Sequence, residues 1–380
     1  MDTSIITSRS KGVLSPIYRR VSSRLKGYVE SERLNPGDFV GSEHKLCKEY
    51  NVSRVSVRKA VDTLVAEGLL ERQAGKGLFV REKTNNGVFI QVVVSNLADD
   101  LIVQAIRGIQ AEAVKSGTHI NIYEAHRSFE DTIKVLSQLP ESPFKGSIIC
   151  NFYHEGIAEL IYDLKKAKYP FVLFDGCMRD IKINSVRSDN YDGGYRVGKK
   201  LVELGHSRIA FVGPLKALTV YNRLTGLRDA VRDAGVAFDK SLVKDMDCDE
   251  TQEDWSLETD RHTVEVMNEP HRPTAIVYSC DAVAVHGYQK LTSMGFRVPD
   301  DVSVVGFDDN PVAKMLHPAL TTVRQNADEM GRTAYRLLMR QLTHGNGRPE
   351  DVVLPVEFIA RKSVAPPRGD SWNTKEKLVN

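Results

Sequence analysis

Six short apolar runs set the strongest limit on how this chain can fold: Val88–Val94, His119–Tyr123, Gly146–Cys150, Phe171–Phe174, Ile209–Gly213 and Ala275–Tyr278. Segments with helical periodicity alternate with them, near Ile102–Ser116, Phe129–Gln138, Gly156–Ala167, Val197–Leu204 and Asn222–Ala234. Strands without polar alternation must be covered on both faces, and the intervening helices supply the cover. The expected class is therefore α/β, with doubly wound parallel sheets. Further strands are expected near Leu242–Val243 and at Val302–Phe307. This region of about 280 residues exceeds one comfortable core, so two lobes are predicted. Ligands of such sheets bind beyond the carboxyl ends of the strands, which two facing lobes turn into a cleft.

Composition narrows the class further. Of 380 residues, 41% are hydrophobic and 27% charged, which excludes disorder over most of the length. No uninterrupted apolar run is long enough to span a bilayer, and Met1–Lys11 lacks a signal-like apolar stretch, so neither a membrane partner nor export is expected. The cysteines Cys47, Cys150, Cys177, Cys248 and Cys280 are an odd, widely spaced set without C-x-x-C. They suit reduced thiols in a cytoplasm better than a disulfide framework or a zinc site.

The net charge of +2 hides a partition. Residues 1–84 hold 16 Lys+Arg against 10 Asp+Glu, whereas the remainder holds 36 against 40. A surplus of this size is ordinary on a small domain, so the placement of the charges decides its meaning. Ile17, Val21, Leu25 and Val29 form an i, i+4 stripe that predicts a helix ending before Asn35-Pro36-Gly37. Ser42 is a candidate N-cap for a second helix with Leu46, Cys47 and Tyr50 inside. Asn51-Val52-Ser53 is a tight turn before a third helix, in which Val57, Ala60, Val61 and Leu64 face inward and Gly68 ends the element. Two helices joined by so short a turn are a helix-turn-helix.

On the third helix Arg54 and Arg58 project from one side beside Lys59, where guanidinium groups can reach guanine edges or phosphate. Leu69–Gln73 and Leu78–Arg81 are expected strands joined by Ala74-Gly75-Lys76-Gly77, a wing whose glycines permit close approach and whose Lys76 meets the DNA backbone or minor groove. The stretch Ser42–Leu46, Asn51–Ala60 and Glu67–Val80 resembles the GntR family of bacterial transcription regulators. That resemblance implies DNA contacts at Arg54, Arg58 and the Gly75–Gly77 wing, and at His44 and Lys45. His44 departs from the arginine usual in the family and would make a weaker, pH-sensitive phosphate contact.

Polar residues recur at the expected strand ends: Ser95 and Asn96, Tyr123 and Glu124, Asn151, Asp175, Ser279 and Asp281, Asp308 and Asp309. One such residue signifies only the start of a loop. Together, with Arg223 as a planar fork and Trp255 as an apolar face, they suit a neutral polyol such as a sugar. The motifs Ser188–Gly194, Leu204–Pro214, Arg223–Gly226, Pro299–Asp309 and His317–Gln325 are similar to the effector domain of the LacI/GalR family over about residues 88–365. The resemblance implies effector contacts at Ser95, Asn151, Asp175, Arg223, Trp255 and Asp308, and at Asp99, Ser279 and Gln325; Tyr123 joins the set as a strand-end residue. Asp189 and Asn190 match a motif of structural role.

The expected organisation is a winged helix-turn-helix domain at 13–82, a linker at 83–87, an effector and dimerisation domain at 88–365 and a disordered tail at 366–380. The chain is expected to cross between lobes near 188–192, 310–312 and 324–328. A GntR-type head on a LacI-type effector domain resembles the arabinose repressors, so the expected function is a cytoplasmic repressor that binds operator DNA as a homodimer and is released by a small sugar, L-arabinose first. A purine is the alternative ligand, although only Trp255 and Tyr123 or Tyr221 are placed to stack on a base. An enzyme is disfavoured because no G-x-G-x-x-G, P-loop, H-E-x-x-H or G-x-S-x-G is present, and no cofactor or metal is expected. Asp245–Asp249 begins like a calcium loop but has Glu250 where the turn needs glycine. A solute receptor of a transporter shares the two-lobed architecture but not the DNA-reading head.

Overall fold

The computed structural model describes residues 17–32, 34–73, 75–81, 87–125, 129–150, 156–178, 181–246, 252–345 and 347–368. The chain divides into two compact units, Met1–Asn86 and Gly87–Asn380. The tether expected at 83–87 and the tail beyond Arg368 fall almost wholly outside the described residues. Pro366–Arg368, expected in the tail, lie against the second unit: Arg368 pairs with Asp300 at 2.9 Å and Pro367 sits beside Gly205.

The first unit contains α1 (Ile17–Ser31), β1 (Phe39–Gly41), α2 (Glu43–Tyr50), α3 (Arg54–Ala66), β2 (Leu70–Gln73) and β3 (Gly77–Val80). Ser42 and Ser53 cap α2 and α3 by accepting from the backbone N–H groups of Lys45 and Ser56. Asn51 takes the left-handed conformation that ends α2 and turns the chain into α3. Val57, Ala60, Val61 and Leu64 are fully buried against Val21, Leu25 and Leu70, as the apolar stripes require. Truncating Leu64 to alanine there would cost about 2–5 kcal/mol. The sheet order is β1-β3-β2, all antiparallel. The sequence does not announce the short β1, because three residues carry no readable alternation and only its pairing with Phe79 and Leu78 defines the strand.

The second unit holds two parallel sheets. The first is built from β4 (Phe89–Val94), α4 (Asp100–Ser116), β5 (His119–Glu124), α5 (Phe129–Gln138), β6 (Gly146–Cys150), α6 (Ile157–Lys166), β7 (Phe171–Phe174) and β8 (Ser185–Ser188). The chain then forms α7 (Asn190–Glu203), β9 (Ile209–Gly213), α8 (Leu218–Asp233), β10 (Val243–Asp245), α9 (Gln252–Met267), β11 (Ala275–Tyr278), α10 (Asp281–Ser293), β12 (Ser303–Val305) and α11 (Pro311–Met315). It closes with β13 (Thr322–Arg324), α12 (Ala327–His344), β14 (Asp351–Leu354) and β15 (Glu357–Ile359). Strand orders are β14-β8-β7-β6-β4-β5 and β10-β9-β11-β12, with β13 and β15 as a separate antiparallel pair. Helices α4 and α12 cover one face of the six-stranded sheet, and α5 and α6 the other.

This connectivity moves one expected crossing. The chain passes between the sheets after β8, between β13 and α12, and between β14 and β15. The segment 310–312 stays with the four-stranded sheet, whose core includes Ala313 of α11. Asn310-Pro311, which looks like a break, is the start of a helix with proline in its first turn. The third crossing lies instead at 354–357.

Candidate DNA-reading surface and effector site

On the first unit Arg54, Arg58, His44, Lys45, Gly75 and Lys76 are exposed, and Gly77 is half-buried. Ala74 lies outside the described residues. Gly77 has φ of +122°, and a Cβ there would fall 2.6 Å from the Phe39 ring. Gly75, at φ +73°, faces open space. Lys59, expected beside the arginines, reaches back over the Tyr18 ring of α1 at 4.5 Å from its centroid. Two features escaped the sequence reading. Val55 is 77% exposed at the start of α3, an apolar side chain of the kind that meets a thymine methyl. Arg72 of β2 pairs with Asp62 at 2.6 Å and Glu43 at 3.2 Å and donates to the Arg58 carbonyl, so it ties the wing to both helices of the motif.

In the second unit the parallel strands end in one direction within each sheet, which brings Asp99, Asp175, Arg223, Ser279, Asp308 and Gln325 together. Asp99 caps α4 by accepting from Leu101 at 2.9 Å. Asp175 follows β7 with φ of +51°, and Asp308 lies beyond β12 with φ of +121°. Side chains with a Cβ rarely occupy this region, and such strain collects at functional positions. Arg223 projects from α8 and is buried. Its Nε donates to Asn190 Oδ1 at 2.7 Å, its Nη1 donates to the Ser279 carbonyl at 2.6 Å, and its plane lies 3.7 Å from the Phe307 ring centroid. Helices α7 and α8 approach closely enough to allow this because Gly194 and Gly226 lack side chains; a Cβ at Gly194 would strike the Arg223 carbonyl.

The electrostatics of the cluster are set by one cation among three carboxyls. Burial pushes Asp175 up to about 6, against the pull of Arg223 and with a further push from Asp99. Burial also raises Asp99 and, more strongly, Asp308, again opposed by Arg223. Gln325 donates to Asp308 Oδ1 at 2.7 Å. Among the described residues, Asp175 Oδ1 and Gln325 Oε1 are buried acceptors without a hydrogen bond. The cluster thus asks for hydrogen-bond donors from an occupant, while Arg223 gives its Nε and Nη1 to protein oxygens and keeps Nη2 for a further acceptor. A cavity of about 770 Å³ is lined by Asp308, Gln325, Asp309 and Arg324, with Gln104 of α4 and Met315 of α11; it touches the cluster at Asp308 and Gln325, and Asp99, Asp175, Arg223 and Ser279 do not line it. No group of three potential metal ligands occurs among the described residues.

Other expected contacts are placed differently. Tyr123 packs on the core beneath α5 and α6, Trp255 packs on the core of the four-stranded sheet, and Ser95 is half-buried after β4. Asn151 lies outside the described residues. Several strand-end polar residues do structural work: Glu124 accepts from the Leu97 N–H, Asp281 accepts from Thr322 and the Asn310 N–H, and Asp309 pairs with Arg324. Asn190, expected to be structural, instead orients the Arg223 guanidinium.

Residues 17–80 match the gntR family of bacterial regulatory proteins, and residues 199–364 match the periplasmic binding protein-like domain. The chain therefore joins a GntR-type DNA-binding domain to a periplasmic-binding-like domain of LacI type, the architecture of a transcription regulator. Along nearly its whole length it is similar to the arabinose metabolism transcriptional repressor of Halalkalibacterium halodurans, at 27% identity over 94% of this chain and 99% of that one. The HTH-type transcriptional repressor PurR of Shigella dysenteriae is 27% identical over 74% of this chain and 82% of its own. A LacI family transcriptional regulator from Enterococcus faecium, solved with bound ribose, superposes with a TM-score of 0.63 at 26% identity, covering 74% of this chain and all of that one. These relatives are transcription regulators and not enzymes.

Proposed function

We propose that this protein is a sugar-released repressor: a homodimer that grips operator DNA through two winged heads and lets go when a small neutral sugar, L-arabinose first, fills the crevice around Arg223. The reading rests on one observation above the others. Carboxyls from both sheets, Asp99 and Asp175 on one side and Asp308 on the other, converge on a guanidinium that is itself bound to Asn190 and Ser279. An occupant bonded to both sheets would favour one arrangement of the lobes. Its hydroxyls would satisfy the unpaired oxygens of Asp175 and Gln325. A carboxylate or phosphate would meet three acidic groups around a single guanidinium.

The dimer follows from the reading head. One winged helix makes few phosphate and base contacts, so site-specific binding calls for two half-sites and a twofold axis. No helix among the described residues is long and apolar enough to cross a membrane. A cytoplasmic location accords with a DNA-binding role. The similarity to PurR makes a purine the second candidate, but Phe307, the aromatic that packs on Arg223, has a face covered by the guanidinium.

The test is a thermal-shift screen of pentoses, hexoses and nucleobases, followed by operator binding with each hit. A ligand at 100 times its dissociation constant raises stability by about 2.7 kcal/mol. L-arabinose should shift the melt and release the duplex. A nucleobase that did so in its place would overturn the sugar reading.

A further inference from the structure

Asp308 and Asp309 are consecutive residues with side chains in the left-handed region, at φ +121° and +60°. The surroundings must over-determine so strained a pair. Asp308 has its backbone N–H bound to the Val323 carbonyl at 2.7 Å. The Asp309 side chain is buried, and its carboxylate lies between two arginines: Arg324 Nε donates to it at 2.8 Å, and Arg361 Nη2 donates to its other oxygen. Arg361 is fixed in turn, donating from Nη1 to the Leu320 carbonyl at 2.8 Å and from its backbone to Thr321 Oγ1 at 3.0 Å. Arg324 ends β13 and also pairs at 2.9 Å with Glu357, the first residue of β15. Those two positions border the second and third crossings between the sheets.

We infer that Arg361, with Arg324, is a positioning residue for the effector: through Asp309 it holds Asp308 in its strained conformation and ties that carboxyl to the crossing strands. The inference rests on the reading of Asp308 as an effector contact. Burial alone would raise the Asp309 carboxyl, but Arg361 and Arg324 outweigh it and hold the group below its ordinary range, so Asp309 is ionised at neutral pH. Asp308, one residue earlier and opposed to a single shared guanidinium, is pushed the other way. Adjacent carboxyls therefore divide two tasks, a charged anchor and a group turned toward the crevice. Arg361 takes no part in the Arg223 cluster and does not line the cavity beside Asp308, so losing it removes no expected ligand contact, whereas Arg324 lines that cavity.

The experiment uses the full chain and a duplex that it selects from a randomised pool. Arg361→Gln should hold this duplex with wild-type affinity but need about ten times more L-arabinose for half-release, and Arg361→Lys should recover most of the response. A crystal structure of Arg361→Gln should show Asp308 out of the left-handed region and its bond to Gln325 broken. A wild-type response together with an intact Asp308–Gln325 bond would overturn the inference. Should Arg361→Gln fail to melt cooperatively, Arg324→Gln is judged on its crystal structure alone, because Arg324 lines the cavity: a displaced Asp308 supports the inference and an unmoved one refutes it. If the wild-type protein releases its duplex for no sugar at all, the effector reading fails by itself, and the clamp is then judged on the variant's structure: a displaced Asp308 supports it and an unmoved one refutes it.

Discussion

Arg223 stands 3.9 Å from the nearer oxygen of Asp308, too far for a tight ion pair, while the same Nη1 donates at 2.6 Å to the Ser279 carbonyl. The guanidinium is thus placed by its backbone partner, Asn190 and the Phe307 face, and the carboxyl opposite is left with Gln325. A pair held apart in this way can admit a hydroxyl between its members.

Replacing either member should give a repressor that no longer lets go. Asp308→Ala and Arg223→Ala are expected to keep operator affinity and to lose sugar binding by about 1.5–3 kcal/mol, the range for a hydrogen bond to a charged group. Calorimetric titration with sugar and fluorescence anisotropy with operator separate the two effects. Asn190→Ala should weaken sugar binding in the same direction, because it frees the Arg223 Nε.

In the first unit, Arg58→Ala should cost about 1–3 kcal/mol of discrimination between operator and scrambled duplex while leaving sugar affinity intact. Wild-type binding should fall steeply between low and physiological salt as condensed counterions are displaced. Full sequence-selective affinity in the variant would remove α3 from the role of recognition helix.

The two wing glycines should respond differently to a methyl group. Gly77→Ala places a Cβ 2.6 Å from the Phe39 ring and 3.0 Å from the Gly41 carbonyl at a positive φ, so the Phe39 ring and the Gly41 backbone must shift. Gly75→Ala meets only the left-handed backbone penalty, about 1–2 kcal/mol. Thermal melts should therefore rank Gly77→Ala well below Gly75→Ala.

Asp175 carries a pH signature. Its folded-state value of about 6 lies above the ordinary 3.8, so the folded protein binds this proton more tightly than the unfolded chain does. The resulting penalty of about 3 kcal/mol is complete above about pH 6, shrinks as pH falls, and vanishes below the unfolded value. Asp175→Asn should stabilise the protein most at pH 8 and by about half as much at pH 5, measured by urea unfolding. A difference constant over that range would contradict the assignment.

The sequence made legible what is set locally. The stripe of Val57, Ala60, Val61 and Leu64 and the apolar runs of β4, β6, β7, β9 and β11 announce their elements, because each pattern is complete within a few residues. The three-residue strands β1, β13 and β15 were not legible, since their partners decide them. The same holds within the site. Asp175, Asp308 and Arg223 could be picked from their strand-end and motif positions, but Glu124, Asp281 and Asp309 had the same signature and hold loops and strands instead. Only the three-dimensional partners separate a carboxylate that waits for a ligand from one already satisfied.

The central claim is that occupation of the crevice and the grip on DNA are incompatible, and linkage makes the claim reciprocal. The most direct measurement is the affinity of L-arabinose for the protein alone and for the protein saturated with operator. The account predicts that operator weakens sugar binding by the same factor by which sugar weakens operator binding. Identical sugar affinities in the two titrations would contradict it.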